Sequence, residues 1–485
     1  MKSVTVNVGE KRTNWRWVIC SLLFFATTIN YLDRQVLSLT WKDFIAPEFH
    51  WSDSDYGTIT GFFSLFYAIV SLFAGKFIDR MGSRRGYLIA VGVWSFAACL
   101  HAACGWATMK IEGLASVEAL AAVEAGSALA LAIASVSVWL FLGCRALLAL
   151  GEAGNFPAAI KVTAQYFPKK DRAFATSIFN AGASMGALAA PLCIPLLAKA
   201  LGWEMAFVII GALGFVWMAF WSKIYSSPEK SAHVNAAELT YIRQDEAGET
   251  PREVEREQTR TISFWRCFTF RQTWAFIAGK ALTDGVWWFF LFWAPAYFSD
   301  QFGYASYTPM GQALIFTLYF IVTVFSILGG YLPKLFVERR GMNPYAGRMR
   351  AMLMFAFVPI LALFAQPLGT YSAWWPAVII GLACAAHQAW SANLYSTIGD
   401  MFPTSTVASI VGIGTMAGGI SCYIINQGSG LLFDYAAAAG DAYSFLGFSG
   451  KPAGYMTVFT VCAFSYLVAW SVMKALVPRY KKIEI

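Results

Sequence analysis

The stretch from Leu129 to Pro157 constrains the fold of this chain more than any other. It is a long apolar run, rich in Ala, Leu and Val, that contains Arg145 and, seven residues later, Glu152. Seven residues make about two helical turns, so the two charged side chains lie on the same side of one helix. An ionised side chain near the middle of a bilayer costs roughly 2.5–3.5 kcal/mol. The pair is therefore expected to face a protein interior or a water-filled cavity rather than lipid.

Composition extends this apolar character to the whole chain. Of its 485 residues, 58% are hydrophobic and only 13% are charged, whereas soluble domains carry about 25% charged residues. These values indicate a polytopic protein of the lipid bilayer. The net charge of +8 lies in loops between apolar runs, so it indicates topology and no nucleic-acid partner. The nine cysteines form no C-x-x-C pair, so neither a metal site nor a disulfide is expected.

Twelve apolar stretches are long enough to cross a bilayer, which takes about 20 residues. The predicted spans are 16–36, 57–78, 85–104, 129–155, 173–198, 204–225, 274–298, 312–335, 351–367, 374–399, 405–430 and 455–477. The prediction is an all-α membrane protein whose twelve transmembrane helices form two pseudo-symmetric six-helix halves. The N-terminal bundle comprises residues 1–225, a polar linker residues 226–271 and the C-terminal bundle residues 272–485. The segment 105–128, with three glutamates, is predicted to be an extra outside hairpin or interfacial helix.

Positive charge in alternate loops predicts the orientation. Lysine and arginine cluster before the first span, between the second and third, between the fourth and fifth, between the eighth and ninth, and after the last. The opposite loops are poor in both residues. The positive-inside rule then places both termini and the linker in the cytoplasm.

The loop between the second and third spans carries a specific motif. Its sequence, Gly-Lys-Phe-Ile-Asp-Arg-Met-Gly-Ser-Arg-Arg from 75 to 85, resembles the G-x-x-x-D-R-x-G-x-R-R loop of the major facilitator superfamily. In that family the loop latches the two halves together. The resemblance implies a gating loop made of Gly75, Asp79, Arg80, Gly82, Arg84 and Arg85. The glycine at 75 is expected to let helices approach, and the aspartate at 79 to cap a helix and form an ion pair.

Two further stretches resemble the anion:cation symporter branch of this superfamily. The first span ends Asn-Tyr-Leu-Asp-Arg at 30–34, and residues 145–153 match the pattern R-x-x-x-G-x-x-E-A except that Ala149 replaces the glycine. Residues 386–394 are similar to the tenth span of bacterial hexuronate (glucuronate or galacturonate) transporters. The resemblance implies a monomeric secondary transporter of the bacterial inner membrane. It would import a small organic anion by alternating access, with no cofactor other than co-transported H⁺ or Na⁺. Asp33 is shared with galactonate carriers, so galactonate and glucarate are alternative substrates.

Basic side chains inside the spans are candidates to bind the substrate carboxylate, because an arginine donates two parallel hydrogen bonds to it. Arg34 is the first candidate and Lys280 the second, although Lys280 could instead pair with Asp284 one turn away. Tyr67 lies where relatives hold substrate. Trp287 and its neighbour Trp288 could stack on a sugar face or pack against lipid. Polar side chains that could bond sugar hydroxyls or a neighbouring helix are Asn30, Tyr31, Asn180, Gln388, Ser391 and Asn393.

Asp33 and Glu152 are candidate proton carriers, each near an arginine, Arg34 and Arg145 respectively. In the predicted mechanism the protonated acid frees its arginine for the substrate, and the ionised acid reclaims it. The alternative is a static salt bridge that holds helices in register. The predicted span ends place Glu152 closer to the cytoplasm than the pair in the first span. His387 could titrate near neutral pH or bond a neighbouring helix.

Other functional classes lack their sequence signatures. A membrane-embedded enzyme would need a nucleophile and base at a catalytic spacing, but the four histidines are scattered. An ATP-driven pump would need a G-x-x-x-x-G-K-[ST] loop, which does not occur. A non-transporting sensor built on a transporter fold stays an alternative.

Overall fold

The computed structural model describes residues 12–244, 263–402, 404–481 and 483. The middle of the predicted linker, 245–262, lies outside the described residues. Helices dominate the described part of the chain. The long ones are α1 Trp15–Thr40, α2 Asp53–Met81, α3 Ser83–Leu100, α4 Ala128–Glu152, α5 Lys169–Leu201, α6 Trp203–Ile224, α7 Arg271–Phe302, α8 Pro309–Arg340, α9 Pro344–Phe357, α10 Trp374–Met401, α11 Thr404–Ala439 and α12 Gly450–Leu476.

Short elements extend or connect these helices. A two-stranded antiparallel hairpin of β1 Ser444–Phe445 and β2 Phe448–Ser449 precedes α12. The short helices are a π-helix Trp41–Ile45, the 3-10 turns His101–Ala103, Pro228–Lys230, Val358–Phe364 and Gly440–Ala442, and the α-helices Ala46–Phe49, Cys104–Ile111, Glu118–Ala122, Asn155–Tyr166, Ala236–Ile242, Phe264–Cys267 and Ala365–Gly369.

The prediction of an all-helical membrane protein is confirmed. Ten helical segments within the described residues are long and apolar enough to cross a membrane. The two remaining predicted spans correspond to α1, whose apolar sequence is interrupted by charged residues, and α8, whose apolar part is the shorter segment Pro309–Phe325. The count of twelve spans therefore stays a prediction.

Glycines allow the long helices to pack closely. Helix α1 packs on α5, and α3 on α4 and α6, while α7 packs on α11 and α12. The first six and last six helices meet chiefly along α2 and α11. A Cβ at Gly57 of α2 would lie 2.6 Å from the carbonyl oxygen of Asn426 in α11. Only glycine permits this separation of the two backbones.

The polar linker packs against one end of the bundle. We call the end formed by residues 41–53 and 299–308 the distal face, and the end beside residues 225–244 the linker face. Glu238 of the linker accepts hydrogen bonds from the backbone N–H of Trp15 and Arg16, both at 3.2 Å. It thereby caps the first turn of α1, which has no side-chain cap of its own. Residues 226–244 of the linker are thus docked on the first six helices.

The structure differs from the sequence prediction in the segment 105–128. The helix Cys104–Ile111 prolongs α3, and the whole stretch Ser83–Ile111 is apolar enough to span a membrane. The helix contains one charge, Lys110 in its last turn, and the acidic residues begin only at Glu112, where the helix has ended. Beyond it the helix Glu118–Ala122 packs on the distal face, with Leu120 fully buried.

The fourth span also extends further than predicted. Helix α4 is followed after two residues by Asn155–Tyr166, and together they form an apolar segment of 39 residues. Pro157 does not end the span, because it lies in the first turn of the second helix, where its missing N–H breaks no helical bond. Glu152 therefore lies inside the bundle, with 14 helical or turn residues between it and Phe167, and not near the linker face.

Glu48, in the short helix between α1 and α2, is a carboxylate in an unusual environment. Trp203 Nε1 donates to its Oε2 at 2.6 Å, while Oε1 has no hydrogen-bond partner among the described residues. Burial raises the pKa of Glu48 to about 7, and the bond from the indole opposes this rise. Glu48 therefore holds a proton in the folded state at pH values where the unfolded chain has lost it.

We expect Gly151→Ala to lower the thermal midpoint of unfolding in detergent by several degrees. A Cβ at 151 would lie 2.7 Å from the carbonyl oxygen of Ala90, and such overpacking typically costs about 1–3 kcal/mol. The control is Gly143→Ala in the same helix, where the added Cβ meets nothing within 4 Å. It should melt at or above the parent's midpoint, since alanine favours helix by about 1 kcal/mol. Equal midpoints for both variants would contradict the close α3–α4 contact.

Glu48→Gln should raise the thermal midpoint more at pH 8 than at pH 5. Between its ordinary pKa and about 7, the unfolded state binds fewer protons than the folded state, so stability falls as pH rises. Glutamine keeps an acceptor for Trp203 and removes the titration. A midpoint difference that does not change with pH would show that Glu48 does not titrate in this way.

Candidate functional site

The central ion pair of the bundle joins α1 to α4. Arg34 donates from Nη2 at 2.6 Å and from Nε at 3.0 Å to the same oxygen, Oε2 of Glu152. Both residues are buried, and Oε1 of the glutamate has no partner among the described residues. The sequence had associated Glu152 with Arg145. Seven residues correspond to about 10 Å along a helix, too far for a direct contact, so the guanidinium on the neighbouring helix takes the carboxylate.

An aromatic cage surrounds Arg34. Its guanidinium carbon lies 4.8 Å from the ring centre of Tyr67, 5.0 Å from Trp288, 5.3 Å from Tyr31 and 5.9 Å from Phe63. Rings at these distances attract a cation through their electron-rich faces. The cage combines α1 and α2 with α7, so it spans the boundary between the first six and last six helices.

Arg145 lies beside this pair without a carboxylate of its own. Its guanidinium carbon is 5.4 Å from the ring centre of Phe63, and only 3% of the residue is exposed. In the described part of the chain, no carboxylate oxygen lies within 4 Å of it. The positive charge of Arg145 is therefore not neutralised by a direct ion pair.

Asp33 does not pair with Arg34, although the two are adjacent in sequence. Consecutive helical residues point about 100° apart. Asp33 is 1% exposed, and neither of its carboxylate oxygens has a hydrogen-bond partner among the described residues. The same holds for the side-chain amide of Asn30, one turn earlier. These groups keep unused hydrogen-bonding capacity inside the bundle.

A narrow pocket, closed in this structure to anything as large as a water molecule, lies between the two arginines. It is lined by Arg34, Leu37, Ser38, Tyr56, Thr60, Phe63, Arg145 and Phe292. Four of the α2 side chains near the arginines, at 56, 60, 63 and 67, follow the spacing of one helical face. Of these four, only Tyr67 was predicted from the sequence. The spacing of the polar and aromatic residues indicates one helical face, but it does not indicate which helix that face contacts.

A second polar cluster lies in the last six helices. Lys280 Nζ contacts Asp284 Oδ2 at 2.6 Å and lies 4.9 Å from the ring centre of Tyr395. This is the pairing that the sequence left open beside substrate binding. His387 shares a hydrogen bond of 2.8 Å with the hydroxyl of Tyr466 on α12, and its ring stacks on Trp287 at 5.4 Å.

The remaining predicted polar ligands have different environments. The side-chain amide of Asn393 donates to the carbonyl of Ala389 one turn earlier in α10, at 2.8 Å. Gln388 and Ser391 are partly exposed, and Asn180 of α5 is exposed. The structure does not gather these four side chains around Arg34, and their role as ligands stays a prediction.

The predicted gating loop forms contacts within the first six helices. Asp79 Oδ1 accepts from Lys161 Nζ at 2.9 Å, and the same ammonium bonds the backbone carbonyl of Ile78. Gly82 has φ +78°, which favours glycine. Arg84 donates to the carbonyl of Ser222, whereas Arg80 and Arg85 are exposed. Gly75 has nothing within 4 Å of its Cβ position, so it does not mediate the close helix contact that was expected.

Four charged residues at the distal face join the two groups of helices. The sequence did not predict this cluster. Lys42 Nζ lies 3.1 Å from Asp53 and 3.0 Å from Asp300, while Lys451 pairs with Asp300 at 2.6 Å and also with Asp53. We call these four residues the distal ion cluster. They come from distant parts of the sequence, so no local pattern reveals them.

Comparison with known proteins agrees with this architecture. The hexuronate transporter of Escherichia coli strain K12 is 28% identical over 429 residues, which cover 86% of this chain and 88% of the relative. The galacturonate transporter of Dickeya chrysanthemi is 26% identical over 383 residues, 77% of this chain and 95% of the relative. The crystal structure of a bacterial homologue of the human lysosomal transporter Spinster, inward-facing and occupied, superposes with a TM-score of 0.66. It is 19% identical, with 96% of this chain and 97% of that chain covered.

A family model supplies the assignment. The model of the Major Facilitator Superfamily matches residues 23–425, which is more than three quarters of the chain. The match includes the ion pair of α1 and α4, the gating loop and the Lys280 cluster. The chain therefore belongs to the major facilitator superfamily, and it is a multi-pass membrane transporter and not an enzyme.

Proposed function

We propose that this protein imports a sugar acid, a hexuronate such as glucuronate or galacturonate, by symport with a cation that we take to be the proton. Two relatives that match most of the chain carry the names hexuronate and galacturonate transporter. The observation that carries the proposal is Arg145, a buried guanidinium that faces a cavity and lacks a carboxylate partner among the described residues.

The charges around the cavity favour an anionic substrate. Glu152 pairs with Arg34, which leaves Arg145 buried without a carboxylate in direct contact, although Asp33 and Glu152 act on it at longer range. Desolvating such a charge costs several kcal/mol unless a counter-ion is supplied. A substrate carboxylate supplies it with two parallel hydrogen bonds to the guanidinium fork.

The other pocket walls suit the remainder of a sugar acid once the pocket widens during the transport cycle. Ser38, Tyr56 and Thr60 each donate a hydroxyl proton to a backbone carbonyl, so their oxygens are left to accept hydrogen bonds from sugar hydroxyls. Phe63 offers an apolar ring face against which the C–H side of a pyranose can pack. Arg34, on the opposite side, becomes available as a second carboxylate contact once Glu152 releases it.

Proton coupling follows from competition for Arg34. When Glu152 is protonated it cannot hold the guanidinium, so the arginine turns to the substrate carboxylate. When the substrate has left, the ionised glutamate takes the arginine back. Asp33, buried without a partner among the described residues, is a second group that can carry a proton. Each proton entering down 100 mV contributes about 2.3 kcal/mol, so two protons suffice for uphill uptake of a monovalent anion.

The proposed topology has twelve spans in two six-helix halves, residues 1–225 and 272–485, joined by the linker 226–271. The linker face is cytoplasmic, together with both termini, in the inner membrane of a bacterium. The distal ion cluster then closes the outer side of a monomeric transporter. Galactonate and glucarate are the alternative substrates, since Asp33 is present.

Purified protein in proteoliposomes should accumulate labelled glucuronate or galacturonate when an inward proton gradient is imposed. Arg145→Gln should abolish accumulation and saturable binding, because the substrate carboxylate loses its unpaired counter-charge. The assay compares a panel of uronates, galactonate and glucarate under proton and sodium gradients. The conservative Arg145→Lys, which keeps the charge but loses the fork, should retain binding with a higher KM. A lack of accumulation across the panel with either ion would refute the symport proposal.

Glu152→Gln should abolish gradient-driven accumulation while preserving counterflow exchange of substrate across the membrane. Glutamine resembles the protonated acid, so Arg34 stays free for substrate and the cycle no longer requires a proton. Glu124→Gln, an exposed carboxylate outside the predicted spans, is the control and should behave as the parent. If E152Q still concentrates substrate against its gradient, the proton is carried elsewhere.

A further inference from the structure

The Lys280–Asp284 pair is a second buried ionisable site, which the proposed cavity leaves unused. The ammonium and carboxylate are 2.6 Å apart, and their side chains are 8% and 12% exposed. It differs from the Arg34–Glu152 pair in one respect. Both of its members belong to α7, four residues apart, so the ion pair connects no two helices.

This difference removes the usual structural explanation for a buried ion pair. An interhelical pair can fix the register of two helices, but an intrahelical pair cannot. Replacing a buried ion pair by apolar residues is often neutral or stabilising, because desolvation offsets the attraction between the charges. Leucine or methionine at positions 280 and 284 would therefore pack α7 about as well as the ion pair does.

The neighbours of Asp284 come from three other helices. Tyr395 of α10 lies 4.9 Å from Lys280, and His387 of the same helix is within electrostatic range of the ammonium. Cys422 of α11 and Tyr466 of α12 are within electrostatic range of Asp284. None of these four groups carries a formal charge near neutral pH when the histidine is neutral, so Lys280 dominates the electrostatic environment of the carboxylate.

Two consecutive glycines of α11 link Asp284 to the interface between the two groups of helices. A Cβ at Gly418 would overlap the Asp284 carboxylate, so this glycine makes room for the acid. A Cβ at Gly419 would overlap the Cβ of Ala68 in α2, which belongs to the first six helices. Gly418 and Gly419 are adjacent in α11. A movement between α2 and α11 at Gly419 therefore acts on backbone next to the residue that contacts the Asp284 carboxylate.

We propose that Asp284 is a second proton-binding site of the transport cycle, located in the last six helices and controlled by the α2–α11 contact. This inference rests on the proposed proton symport. On the outward side a proton binds a carboxylate oxygen of Asp284 and forms an O–H bond, which releases Lys280 to attract the substrate anion. After the helices rearrange, that O–H bond breaks, the proton leaves to the cytoplasm, and the ionised acid pairs with Lys280 again.

The test is the number of protons transported per substrate in proteoliposomes. For a fixed glucuronate gradient, the pH gradient is varied until net flux is zero, and the balance point gives the stoichiometry. Asp284→Asn should transport one proton fewer than the parent. Asp300→Asn is the matched control, because Asp300 is also a lysine-paired carboxylate of α7 but lies in the distal ion cluster. It is expected to alter the rate and to leave the stoichiometry at the parent's value.

A second measurement does not depend on transport by the variant. Protons taken up on glucuronate binding are counted by titration calorimetry in two buffers of different ionisation enthalpy. Asp284→Asn should take up one proton fewer than the parent, and Asp284→Glu should restore it. A parent stoichiometry or parent proton uptake in D284N would overturn the assignment while leaving the symport proposal intact. If the parent itself moves no protons, the proposed function fails first, and Asp284 has no role of this kind.

Discussion

The cost of placing charge inside a bilayer governs the arrangement of this protein. Arg34, Arg145, Asp33 and Glu152 are all buried in long helices of the bundle, and each must find a counter-charge or a polar cavity. The pairing of Arg34 with Glu152 neutralises one basic and one acidic side chain. It leaves a guanidinium and a carboxyl group without a direct ion pair among the described residues. A site with one unsatisfied cation and one unsatisfied acid is suited to bind an anion and a proton together, which is the chemistry of symport.

Close helix contacts allow this charged interior to move. Along α2 and α11 the backbones approach so closely that glycine is required at several positions. Glycine-lined surfaces of this kind carry few interlocking side chains, and in our proposal one helix shifts on the other during transport. The distal ion cluster has the opposite character, because four charges from distant segments must separate before that face opens. A smooth contact along the bundle and a polar contact at one end together permit a rocking motion.

The two buried ion pairs have different geometry and, in our proposals, related roles. Arg34 and Glu152 join α1 to α4, so a change in the charge of the glutamate alters a contact between helices. Lys280 and Asp284 lie on one helix and touch α11 through the space at Gly418. In both cases a basic group is held by an acid that a proton can neutralise. In our proposals, each group of six helices therefore has one basic side chain whose availability depends on protonation.

The sequence by itself determined the helical class, the approximate place of most long apolar helices and the family, because hydrophobic runs of about 20 residues and a loop motif are local patterns. It also identified Arg34, Arg145 and Glu152, since a charge inside an apolar run is conspicuous. Only the tertiary structure decided the partners. Glu152 pairs with Arg34 across two helices instead of with Arg145, the span continues past Pro157, and Trp288 joins the cage while its neighbour Trp287 stacks on His387. The Lys42–Asp300 and Lys451–Asp53 pairs and the Gly418–Asp284 contact could not be predicted either, because each joins residues more than a hundred positions apart. A sequence pattern shows which side chains of one helix must be buried or paired. Which residue each of them pairs with depends on the distances that packing establishes between helices.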